Sequence, residues 1–251
     1  MGKSEEQKSR RQLIREQRVQ KQRRQRLLTI LLITGGALVI AGLLIAPSLR
    51  NSLTPVGEIV QVTPEARPMV DGVAMGDPNA PVLVEVFEDF QCPACRTYSD
   101  DVESLVVENY VASGKVRYVF RQYPFLDDRS VTKESDQAAN ASMCAAEQDK
   151  FWEYHDFLFG NWNSENAGAF SDKRLVAFAE SLGLDMGRFN DCFNENRYED
   201  DIQKDLADGT QKGVTGTPSV FVNGQIVKPG FVPSFDEIAQ AVEAALAAQG
   251  Q

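Results

Sequence analysis

Residues 81–95 read PVLVEVFEDFQCPAC, from Pro81 to Cys95. The run Pro81–Phe90 is apolar and β-branched, as a strand buried on both faces should be. Cys92 follows at once. The segment from there to about Ser113 has helical spacing at Val102, Leu105, Val106 and Tyr110. A Cys-x-x-Cys at the junction of a buried strand and a helix is a redox signature. Unpaired backbone N–H groups and the positive helix end stabilise a thiolate at the first cysteine, Cys92. Cys95 sits one turn on, close enough to attack a mixed disulfide and release the product. Pro93 suits the first helical position, where an N–H would have no partner. The competing reading of the two thiols is half of a zinc site, which needs two more ligands. Cys144 and Cys192 stand far apart and His155 is the single histidine, so no metal is expected, and dithiol exchange needs no organic cofactor.

Toward the C-terminus, Lys115–Phe125 alternates apolar and polar residues and predicts a second strand. Helical periodicity covers Val131–Phe159, then Ser171–Leu182 with Ser171 or Asp172 as N-cap, then about Asp185 to Thr210. Ser219–Val222 and Gln225–Val227 flank Asn223–Gly224, a tight-hairpin signal. Ser234 caps a last helix ending near Ala248. This is an α/β order, a βαβ unit plus a ββα unit, with a helical insertion at about residues 127–210. The whole α/β domain is expected at 81–250. Residues 50–80 read as a linker and N-terminal extension, punctuated by Pro55, Pro64, Pro68 and Pro78, in which only Gly57–Val62 could make a short strand.

The net charge of −10 conceals a split. Residues 1–26 form a basic tail with ten Lys/Arg and three Asp/Glu, whereas the remainder is acidic. Residues 27–49 hold no charge and are rich in Leu, Ile, Val, Ala and Gly, long enough to cross the ~30 Å hydrocarbon core. Lys/Arg before this span, against an acidic domain after it, predicts a single-pass anchor with a cytoplasmic N-terminus. A cleaved signal peptide is the rival; the long polar lead, the long apolar run and the lack of a small-x-small site argue against it. The tail abuts a membrane span, which already accounts for its charge, and the acidic domain argues against nucleic acid as a partner.

Several runs together carry a family resemblance: Met75–Cys95 (MGDPNAPVLVEVFEDFQCPAC), KVRYVFRQYPF, Ala145–Phe159 (AAEQDKFWEYHDFLF) and GVTGTPSVFVNG. Over roughly residues 70–248 the chain resembles the DsbA-like branch of the thioredoxin superfamily. The resemblance implies a thioredoxin-like fold with an inserted helical subdomain, here preceded by one transmembrane helix. It implies that Cys92 is the nucleophile, that Cys95 resolves, and that a cis-proline loop, Thr217–Pro218, faces them, with Pro93 and Ala94 as the intervening dipeptide. It also implies a cell-envelope thiol–disulfide oxidoreductase whose substrates are reduced cysteines in exported proteins. A membrane quinone-linked thiol oxidase would be its partner. The chain departs from the pattern twice. Many relatives carry a glutamate six residues before the nucleophile, where this chain has Val86; Glu85 or Glu88 is expected to substitute, or else water. The dipeptide is Pro-Ala rather than Pro-His, so no imidazole adjoins the thiolate.

Cys144 and Cys192 are expected to pair as a structural disulfide, the alternative being a relay of electrons to Cys92–Cys95. His155, in the aromatic run FWEYHDF, reads as a packing residue, and Phe151, Trp152, Phe157, Leu158 and Phe159 as core. The acidic runs Asp127–Asp128 and Glu199–Asp201 read as solvated faces or helix ends. The preferred activity is a dithiol oxidase. Its rivals are a reductase or isomerase of the same fold and a non-catalytic, chaperone-like binding module.

Overall fold

A computed structural model of the chain describes residues 55–129 and 132–249, together with 18, 21, 23–29, 31–36 and 39–42. It forms two compact units, Met1–Pro55 and Val56–Gln251. In the first, the helix Arg23–Gly42 has a mean hydropathy of 1.6 over its most apolar window, with Leu27, Leu31, Leu32 and Ile33 more than half exposed. By length and composition it can cross a membrane. Residues 43–49 of the expected span, and most of the basic tail, lie outside the described residues.

The second unit is built on a mixed sheet. Its strands are β1 (Ala74–Met75), β2 (Val82–Glu88), β3 (Val116–Gln122), β4 (Ser219–Val222) and β5 (Gln225–Ile226), in the order β1-β3-β2-β4-β5. β2 and β3 run parallel, with Val82 opposite Val116 and Glu88 opposite Gln122; the other pairings are antiparallel. α1 is a continuous helical run that joins Pro93–Tyr98, a π turn at Ser99–Glu103, Ser104–Val106 and a second π turn at Val107–Val111. The helices after β3 are α2 (Glu134–Ala146), α3 (Phe151–Gly160), α4 (Asp172–Ser181), α5 (Met186–Asn194) and α6 (Glu199–Gln211), and α7 (Phe235–Gln249) closes the domain. Asp185 caps α5 by accepting from the N–H groups of Gly187 and Arg188. Before α7, Ser234 and Glu237 exchange hydrogen bonds as a capping box.

The pleat of β2 divides its side chains. Val82, Val84 and Val86 enter the large core under α1, α3 and α7, and Phe87 enters a smaller one with Tyr123, Val214 and Phe221. α6 lies on that second side, where a Cβ at Gly209 would meet the rings of Phe87 and Tyr123 at 2.9 and 2.7 Å. Glycine is what lets the helix approach so closely.

Three expectations are corrected. The helical run 131–159 is two helices, because Asp149 takes a left-handed φ of 57° and turns the chain between α2 and α3. Residues 130 and 131 lie outside the described residues. The run 185–210 likewise breaks at Asn196, φ 47°, into α5 and α6. Gly57–Val62 forms no strand: Val60 exchanges both backbone hydrogen bonds with the Asn161 side chain, at 2.8 and 3.0 Å, instead of with a sheet neighbour. Finally, residues 56–67, within the expected linker and N-terminal extension, are an extended strap already laid on the domain. Arg174 donates to the carbonyls of Val56 and Glu58, and Val62 lies against Gly160.

Candidate active site

Cys92 is the N-cap of α1, with extended backbone (φ −72°, ψ 121°) and Pro93 at the first helical position. The residue is 7% exposed. As a thiol it donates to the Thr217 carbonyl, 3.4 Å away, and the Thr217–Pro218 bond beside it is cis. As a thiolate it accepts from the Cys95 thiol, which is the largest influence on it, and from the N–H groups of Cys95 and Ala94. The Thr217 hydroxyl beside it favours the anion too. Against the opposing effect of burial these lower the Cys92 thiol from 9.0 to about 6. Cys95 is fully buried, and burial pushes its thiol well above the ordinary value, reinforced by its hydrogen bond to Cys92 and by Glu88. The pair is therefore unequal.

Glu85 and Glu88 occupy opposite faces of β2, as residues three apart must. Glu85 accepts from Arg121 at 2.7 and 2.9 Å and from Lys212 at 3.1 Å, on the side covered by α6. Glu88 is 0% exposed, and no hydrogen bond holds either carboxyl oxygen. Burial raises it well above the carboxylate range; the charges of Glu103 and Cys92 push the same way, and the Cys95 thiol is the neighbour that favours its ionised form.

Behind Glu88 lies a buried charge network. Oxygens of Glu88 and Glu103 and a ring nitrogen of His155 lie within 4.8 Å of one another. That spacing could hold a metal ion, but the guanidinium of Arg67 already neutralises Glu103 at 2.7 Å, and we assign no metal ligand here. Arg67 reaches in from the strap, grips Asp156 at 2.8 and 2.9 Å and stacks over Trp152. His155 Nδ1 lies 3.0 Å from Asp156 Oδ1, and Nε2 lies 3.6 Å from Glu103 Oε2. Burial pushes the Asp156 carboxyl up, yet hydrogen bonding to His155 and the Arg67 charge hold it down at about 2. On the other side of Cys92, Asp89 accepts from Ser135 Oγ at 2.7 Å and from the N–H groups of Gln91 and Leu126; burial still raises it to about 7.

Cys144 on α2 and Cys192 on α5 are joined by a disulfide, both fully buried, with Cα atoms 5.8 Å apart. His155 does pack, among Phe90, Phe120, Phe151, Trp152 and Phe159, but its polar atoms face acids. Asp127 is not solvated: it is 3% exposed and accepts from the Asp136 N–H at 2.8 Å and from Gln91 at 3.3 Å. The sequence reading missed Arg67, Asp89, Glu103 and Asp156. No local pattern links Arg67 to partners 36 and 89 positions away, whereas the strand pleat could have separated Glu88 from Glu85.

Comparison with known proteins points the same way. The family model described as thioredoxin matches residues 69–244. A probable disulfide bond formation protein D of Bacillus cereus is 30% identical over 174 residues, covering 68% of this chain and 76% of that protein. Among solved structures, oxidised BdbD from Bacillus subtilis superposes with a TM-score of 0.62 at 22% identity, over 76% of this chain and all of that one. A thioredoxin-like oxidoreductase from Silicibacter pomeroyi gives 0.56 at 28% identity, over 69% of this chain and 91% of that one.

Proposed function

The chain belongs to the thioredoxin family, and from that premise, as a thiol–disulfide oxidoreductase with DsbA-like relatives, we propose that it is a membrane-anchored dithiol oxidase acting on exported proteins. The observation that carries this reading is the inequality of the two thiols. A Cys92 thiol lowered to about 6 stabilises the dithiol form and so makes the disulfide more oxidising.

In this mechanism a substrate thiolate attacks Cys92 Sγ of the Cys92–Cys95 disulfide. The S–S bond breaks, its electron pair goes to Cys95 Sγ, and Glu88 protonates that sulfur. A second substrate thiolate then attacks the substrate sulfur of the mixed disulfide, Cys92 leaves as the thiolate, and the substrate is oxidised by two electrons. The helix N-terminus, the Ala94 and Cys95 amides and the Thr217 hydroxyl favour that leaving thiolate. The Thr217–Pro218 loop presents backbone beside the sulfur to an extended substrate. Glu88 lies on the thiol side of β2, while Glu85 is occupied by Arg121 and Lys212.

The helix Arg23–Gly42 serves as the anchor, with the basic tail in the cytoplasm and the acidic domain outside. A membrane quinone-linked thiol oxidase would then remove the electrons.

The test is the reduction potential of Cys92–Cys95. Lowering the Cys92 thiol from 9.0 to about 6 raises the potential by about 30 mV at neutral pH. A potential of about −120 to −180 mV supports the oxidase, and one near −270 mV replaces it with a reductase fed by a membrane electron donor. Absence of exchange would leave a binding module.

A further inference from the structure

Each cycle of the pair moves a proton onto Cys95 and off again, yet Cys95 and Glu88 are both 0% exposed. The opening at Cys92 is where the substrate sits in the mixed disulfide. Proton supply therefore has to come from the far side of Glu88, where the structure places His155.

The imidazole is fully buried, and Nε2 has no hydrogen-bond partner. That nitrogen lies in the cluster within 4.8 Å of the carboxyl oxygens of Glu88 and Glu103. Nδ1 is 3.0 Å from Asp156 Oδ1. Asp156 in turn forms the wall of an open recess lined by Val62, Thr63, Glu65, Arg67 and Phe159, beneath the strap. A packing histidine would need no polar atom aimed at acids. An imidazole can take a proton at one nitrogen and release it from the other, and here the two nitrogens face different acids. Arg67, always protonated, cannot carry a proton; it fixes Glu103 and Asp156 on either side of the ring.

We infer that His155 is the proton carrier between Glu88 and the strap-side surface, with Asp156 as its outer partner. The inference rests on Glu88 serving Cys95. The titratable and charged groups facing the ring are Glu88 from β2, Glu103 from α1, Asp156 from α3 and, holding the last two, Arg67 from the strap; Tyr118 from β3, with Tyr98 from α1, adjoins Glu103, and Cys95 adjoins Glu88. When Cys92–Cys95 is reduced, the imidazole passes one proton to Glu88, which hands it on to Cys95, and the ring takes up another from the recess on the side where the ionised Asp156 faces Nδ1. Re-oxidation returns it by the same groups. No electron follows this route.

The experiment uses the full chain, its Cys92–Cys95 disulfide reduced by dithiothreitol in single turnover between about pH 5 and 8, in H2O and in D2O. Iodoacetamide alkylation of Cys92 runs alongside. His155→Gln is expected to slow reduction by about tenfold or more and to raise the solvent isotope effect, while Cys92 alkylation keeps its pH profile. A purely structural role would leave the isotope effect unmoved. Reduction and isotope effect both within about twofold of the parent overturn the inference. If Glu88→Gln slows the reaction and His155→Gln does not, only the route through the imidazole falls. If neither slows it, the Glu88 reading falls as well. Should His155→Gln not fold, Asp156→Asn interrupts the same route nearer solvent and is judged by the same two readouts.

Discussion

Two cysteine pairs share this domain and have opposite chemistry. Cys92 and Cys95 are free thiols at the start of a helix, three residues apart, with amide N–H groups and a cis-proline loop turned toward one sulfur. Cys144 and Cys192 lie inside two helices of the insertion, 48 residues apart in sequence, and are already joined. Burial alone does not separate them, since Cys95 is as buried as Cys144 and Cys192. The difference is local polarity. A thiolate at Cys92 meets donors and a helix N-terminus, whereas the second pair is walled by helix interior and core. In the proposed reading the first pair cycles between two states and the second is a staple.

The largest break in this comparison comes from Cys92→Ser, which should abolish thiol–disulfide exchange while leaving the melting temperature within a few degrees of the parent. Retained exchange would move the nucleophile elsewhere. Replacing Cys144 and Cys192 together by Ala should do the reverse. Opening a loop of 48 residues should cost about 4 kcal/mol in chemical denaturation, with exchange at Cys92 intact. Lost exchange in a folded double variant would make the second pair a relay after all.

The pH dependence sharpens the contrast. The Cys92 thiol is lowered on folding, so its contribution to the reduced protein is fully present above about pH 9 and is lost as pH falls through about 6. Denaturation of the reduced form, referenced to the oxidised form so that groups remote from the thiols cancel, should therefore gain on the order of 3 kcal/mol between those limits. Alkylation of Cys92 should follow an ionisation near pH 6 while Cys95 stays unmodified. A flat difference across that window would remove the thiolate from the account.

Smaller effects divide the two acids of β2. Glu88→Gln should slow exchange by about tenfold and flatten its pH profile. Glu85→Gln should leave exchange untouched and destabilise the fold by about 1 kcal/mol, because Arg121 and Lys212 lose the negative charge they share. Equal kinetics in the two variants would mean that water serves Cys95.

Much of this was legible residue by residue. The buried strand ending at Cys92, the hairpin at Asn223–Gly224 and the helical insertion follow from period and turn chemistry, which act over a few residues. The breaks at Asp149 and Asn196 were not legible, since neither a proline nor a glycine marks them and both residues fit a helical count until φ turns positive. Arg67 was hidden for a different reason. Its flanking prolines read as tether, and its burial depends on acids brought from two other elements.

By itself, then, the amino-acid sequence determined the α/β class, the position of the Cys92–Cys95 pair at a helix start, and one apolar segment long enough to span a bilayer. All three rest on local backbone propensity, hydrophobic period and segment length. Tertiary structure alone decided which of Glu85 and Glu88 faces the thiols, that the strap is clamped by Arg67, and that His155 joins acids as well as aromatic rings. Those outcomes depend on burial and on charges met across 36 to 127 residues of chain, and desolvation has no meaning until the chain has closed around them.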